Sequence, residues 1–176
     1  MTSQPVLPRL TAAAPPPQIS KSHRPLAKAY ARGLPLARIA REAGLSRSSL
    51  ARCLAQMREQ MHCPPGASRA VLVHALLTHQ QVPRPSTPRP DLILTVDEVR
   101  LLRAISEHST HQSICNATGL SSRRRRNATR ALLAKTGAVD STHLVVIGHA
   151  MGILRPQDGR PAATPPPAGA APESTS

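Results

Sequence analysis

Ser122-Arg123-Arg124-Arg125-Arg126-Asn127 is the stretch of this chain whose residue types read most directly as chemistry. A guanidinium is a planar fork of donors that pairs bidentately with a phosphate or with guanine O6 and N7. An asparagine amide does the same with adenine N6 and N7. Such a run at the start of a helix is a set of nucleic-acid contacts. A solvated face or a localisation tag would explain the charge but not its position, directly after the turn signal Gly119-Leu120-Ser121.

The other reactive residues do not assemble into a site. Cys53, Cys63 and Cys115 are odd in number and lack C-x-x-C spacing, which fits reduced thiols rather than a disulfide or zinc framework. His108 with His111, and His62 beside Cys63, fall short of a four-ligand set, so no metal is expected. Lys135-Thr136-Gly137 has no accompanying S-x-x-K and reads as a helix end. Tyr30 lacks the Arg/His surroundings of a nucleophile and reads as core. The sequons at Asn116 and Asn127 fall in expected helices of a cytosolic chain and are set aside. His74 and His149 recur at one position of an internal repeat, where packing is the plainer account. No phosphate-binding or dinucleotide glycine fingerprint is present, so no cofactor is expected, and no acid/base constellation points to an enzyme.

Composition narrows the partner. The 176 residues suffice for one ordinary domain or two very small ones. Aromatics are 1% of the chain, with no Trp or Phe, so the core is aliphatic, which suits small helical units better than a β-sandwich. The formal net charge is +14. That imbalance opposes compaction unless a polyanion neutralises it, and its arginine character favours phosphate and base edges over a membrane surface. The best apolar run, Ala70 to Leu77, contains His74 and is too short for a bilayer, and no signal peptide is apparent. A cytoplasmic protein is expected, with duplex DNA as partner and no membrane association.

The elements that must position the arginines follow from punctuation and periodicity. Laying Gly44 on Gly119 brings Gly44-Leu45-Ser46 onto Gly119-Leu120-Ser121, Ile39 onto Ile114, and His74-Ala75 onto His149-Ala150 without a gap. This reads as a duplicated domain. Each copy is expected to have four helices, over 26–32, 36–43, 47–61 and 68–79 in the first. In the second, Thr95-x-x-Glu98 is a capping box, followed by helices over 111–118, 122–135 and 140–151. The fold class is therefore all-α, with two tandem tetrahelical helix-turn-helix units at 19–82 and 92–155. A Pro-rich linker spans 83–91, and the tails 1–18 and 156–176, rich in Pro and Ala, are expected to be disordered. An extended polyproline linker reaches ~30 Å, near the roughly 34 Å between successive major-groove faces. Two separate cores acting as a covalent pseudo-dimer are expected.

A helix, a glycine turn and a second helix form the helix-turn-helix, whose second helix enters the major groove. Residues 94–154 resemble the DNA-binding domain of the LuxR/GerE (NarL/FixJ) regulators. The resemblance is carried by Leu94-Thr95-x-x-Glu98, Leu102, Ile105, Ile114, Gly119-Leu120-Ser121, Leu132-Leu133-Ala134-Lys135-x-Gly137-Ala138 and Thr142 to Leu154. Residues 19–79 resemble the family more weakly. The resemblance implies DNA contacts at Arg124, Arg126, Asn127 and Arg130, phosphate contact at Lys135, and pairing of domains through helix four. In the first copy it implies contacts at Ser49, Arg52 and Arg47. Arg125 departs from the family by falling on the inward stripe. It is expected to snorkel, with its guanidinium near a phosphate or Glu98. The function so implied is a transcriptional regulator reading duplex DNA, with RNA polymerase or another regulator as a second partner. The alternatives are a protein-interaction adaptor and a sequence-tolerant architectural DNA protein.

Overall fold

The computed structural model describes residues 16–85 and 92–155. Most of the expected tails and the centre of the expected linker lie outside the described residues. Among the described residues, a single 3-10 turn, Lys21–His23, precedes eight α-helices. They are α1 (Arg24–Ala31), α2 (Leu36–Glu42), α3 (Arg47–Gln60), α4 (Arg69–Thr78), α5 (Val96–Glu107), α6 (His111–Thr118), α7 (Ser122–Thr136) and α8 (Ser141–Ala150). Among the described residues there is no strand.

Local chemistry sets the helix boundaries. Thr95 and Glu98 form the expected capping box at the start of α5, each satisfying the other's backbone N–H. Thr110 and Ser113 form a second one at α6. Ser46, Ser68, Ser121 and Asp140 each cap a helix by accepting a first-turn N–H. Such caps satisfy donors that have no partner inside the helix. Gly119 and Gly137 end α6 and α7 in the left-handed region, at φ 70° and 67°. α2 and α3 start at the same interval before α6 and α7 that separates His74 from His149, 75 residues.

The expectation of two separate cores is corrected by how α4 and α8 pack. α4 buries Ala70, Val71, Leu72, Val73, Leu76 and Leu77, and α8 buries Leu144, Val145, Val146 and Ile147. Both helices are therefore apolar nearly all round, and such a helix needs neighbours on every side. They find them in each other, their pairing being the most extensive in the fold, with α5 touching both and α1 backing α4. One continuous apolar core then runs from Ile19 and Leu26 through Leu72 and Leu76 to Leu102, Leu132 and Leu144. Each fully buried Leu contributes about 1.5–3 kcal/mol, which units of ~60 residues would largely lack if they stood apart.

Polar contacts also join the halves. Ser109 Oγ accepts the Ser68 N–H at 3.2 Å. Arg69 and Asp140 approach to 3.5 Å. Gly33, at φ 71°, lies so close to the His143 ring that an added Cβ would sit 2.9 Å from Cδ2.

Candidate nucleic-acid interface

The turn before α7 is built from three residues with separate tasks. Gly119 takes the left-handed conformation that stops α6. Leu120 donates its N–H back to the Cys115 carbonyl at 3.2 Å and tucks in half-buried. Ser121 Oγ accepts the Arg124 N–H and starts α7. The turn before α3 repeats the arrangement: Gly44 at φ 63°, Leu45 N–H to the Ala40 carbonyl at 2.9 Å, and Ser46 Oγ accepting from Ser49 N–H at 3.1 Å.

These turns decide which way α3 and α7 face. α7 turns Arg125, Leu132 and Thr136 inward. Arg123, Arg124, Arg126, Asn127 and Arg130 are all exposed. α3 turns Leu50, Leu54 and Met57 inward and leaves Arg47, Ser49 and Arg52 exposed. None of these arginines has a carboxylate partner among the described residues, and α7 itself carries no acidic side chain. Their charge is uncompensated by any described residue, as a phosphate-facing surface requires. Ser49 is partly committed, since its hydroxyl accepts from Ser46 Oγ at 2.9 Å. Its own proton remains available.

Lys135 stands apart from this group. Its Nζ donates to Glu98 Oε2 at 2.7 Å, at the far end of α7 from the arginine run. The Lys135 hydrogen bond first, and then the Thr95 N–H, hold the Glu98 carboxyl below the usual carboxylate range.

Of its two expected destinations, Arg125 does not reach Glu98. Glu98 is already held by Lys135 and by the Thr95 N–H. Arg125 is only 9% exposed, and its Nε has no hydrogen-bond partner. It lines a cleft closed by the start of α4, an element of the other half. No local pattern in α7 marks that cleft, because its opposite wall comes from distant sequence.

Among the described residues, no three His, Cys, Asp or Glu side chains gather to hold a metal. No described helix is long and apolar enough to cross a membrane. The family model described as "IclR helix-turn-helix domain" matches residues 28–60, which run from within α1 to the last residue of α3. The match supports a DNA-binding helix-turn-helix in the first half. It corrects the expected type, since it is to the IclR family rather than to LuxR/GerE, and it falls on the half that carried the weaker resemblance. A helix, a Gly-Leu-Ser turn and a capped second helix are common to helix-turn-helix proteins, so those residues specify the motif more firmly than the family. No curated protein and no solved structure matches the chain.

Proposed function

We propose that this chain is a non-enzymatic transcriptional regulator that reads duplex DNA through two tandem helix-turn-helix units. α1–α4 and α5–α8 are read as copies, joined through α4 and α8 into an intramolecular pseudo-dimer acting in the cytoplasm. The IclR helix-turn-helix match over residues 28–60 carries this reading, because it covers α2, the turn and α3, and α3 is read as the recognition helix of that motif. α7 is its counterpart by cap, turn and length. In this reading Arg123, Arg124, Arg126, Asn127 and Arg130 on α7, and Arg47, Ser49 and Arg52 on α3, face the groove or its phosphates. Lys135 reaches phosphate only by leaving Glu98.

Selection of the full chain on a random duplex pool tests the reading. A motif with two separated elements supports it. Featureless enrichment favours an architectural DNA protein. No enrichment overturns DNA recognition and favours an adaptor bound to RNA polymerase or another regulator. The adaptor has one observation in its favour: α3 opens on a single arginine where α7 carries four in succession, so the first half is the weaker reader.

A further inference from the structure

The cleft beside Arg125 is the least explained part of the molecule. Its volume is about 250 Å³, below the roughly 300–1,000 Å³ typical of sites for drug-sized ligands, so its occupant is small. Arg125 is the buried member of an otherwise exposed arginine run, and its guanidinium forms no hydrogen bond or ion pair with a described residue. One turn further along α7, Thr129 lines the same cleft with a buried Oγ1 that also lacks a partner.

The surrounding backbone favours negative charge. Arg69 opens α4, His111 opens α6 and Ser141 opens α8, and all three residues line the cleft. Helix N-termini carry unpaired N–H groups and a partial positive charge. Asp140 is the one carboxylate in the lining. Its Oδ1 accepts the His143 N–H as the cap of α8, and its Oδ2 faces Arg69. It therefore leaves Arg125 unneutralised. Arg125 Nε and Thr129 Oγ1 are buried without partners, and a guanidinium so poorly hydrated gains from an anion seated beside it.

We propose that this cleft binds a small oxyanion of the phosphate type, held by the Arg125 guanidinium and Thr129 Oγ1 where α4, α6 and α8 begin. The oxyanion is either a free phosphate group or a phosphate of bound DNA, and the chemistry of recognition is the same for both. The site goes beyond the regulator reading and does not require it, since it is assayed first without DNA.

The test is calorimetric titration of the full chain with inorganic phosphate in phosphate-free buffer, for the wild type, Arg125→Gln, Thr129→Val and the exposed control Arg103→Gln. A free-phosphate site gives saturable binding. Its Kd rises by at least about ten-fold in Arg125→Gln, the loss of one charge-assisted hydrogen bond. Kd rises by a smaller factor in Thr129→Val and is unchanged in Arg103→Gln. A site for DNA phosphate gives no saturable titration. Instead, Arg125→Gln lowers the slope of log Kd against log salt for duplex DNA by about one, with no change for Arg103→Gln. Should Arg125→Gln fail to fold by circular dichroism, the near-isosteric Thr129→Val decides, by weaker phosphate binding or weaker DNA binding. Variants at both positions that match the wild type in both assays overturn the proposal.

Discussion

Nδ1 of His74 lies 3.0 Å from Nε2 of His149, with the ring centroids 5.1 Å apart, where α4 meets α8. One nitrogen donates and the other accepts, so the contact needs at least one neutral ring. His149 Nδ1 is buried without a partner. The tautomer in which His149 Nε2–H donates to His74 leaves only a lone pair unmatched, which costs less than an orphaned N–H. Burial first, and then the facing His74, push His149 down to about 4, and burial lowers His74 as well.

Acid should therefore loosen this contact. Both imidazoles sit below their ordinary 6.5 in the folded chain, so the unfolded chain takes up the protons first. The stability of the neutral pair is fully present above that value and is lost as pH falls from 6.5 toward about 4. The loss is on the order of 2 kcal/mol after allowance for solvent screening. Thermal melts across this range should show a falling Tm, and His149→Leu should flatten the profile. An unchanged profile in that variant would place the acid sensitivity elsewhere.

Duplex binding should depend on the exposed face of α7. Arg126→Ala and Arg130→Ala should each cost about 1–3 kcal/mol where a base contact is lost, or lower the salt slope by about one where a phosphate contact is lost. Fluorescence anisotropy on a selected duplex at several salt concentrations separates these. Lys135→Met should alter stability by less than ~1 kcal/mol, since its bond to Glu98 is an exposed ion pair.

Two glycines separate backbone strain from packing. Gly44 and Gly33 both have positive φ, but an added Cβ meets nothing within 4 Å at Gly44 and meets the His143 ring at Gly33. That ring is held in place, because its Nδ1 accepts the Val139 N–H at 3.3 Å. Gly44→Ala should cost about 1 kcal/mol. Gly33→Ala should cost a further 1–3 kcal/mol or so from overpacking between the halves. Equal melting temperatures for the two variants would show that the halves separate readily.

The shared core predicts a single unfolding event. Calorimetry of the full chain should give one cooperative transition. Leu76→Ala, at a fully buried position of α4, should lower the stability of both halves together by about 2–5 kcal/mol. Two resolved transitions, or a loss confined to the first half, would mean separate cores.

Helix boundaries and turns were legible because their causes are local. Thr95, Glu98, Gly119, Ser121 and Ser46 act within a few residues of themselves, and the expected helices agree with the observed ones to within a few residues. The joining of the halves is a long-range feature with a fainter signal. Ala70-Val71-Leu72-Val73 and Leu144-Val145-Val146-Ile147 are unbroken apolar runs, which an amphipathic surface helix would not carry. The proline-rich stretch between them reads as a spacer and masks this signal. The inward position of Arg125 was readable from its register, but its lack of an acceptor depends on where Arg69 and Asp140 arrive in space.

The packing of α4 on α8 also bears on dosage. A regulator assembled from two chains occupies its target according to the square of its concentration while it is largely monomeric. A chain that carries both readers on one core, as proposed here, would respond in proportion to its own abundance. In the proposed reading the two recognition helices, α3 and α7, are free to differ in sequence, as Arg47-Ser48-Ser49 and Ser122-Arg123-Arg124 do. The target that this proposal calls for is not a palindrome but two unlike half-sites in fixed order, which would give the protein a direction on DNA.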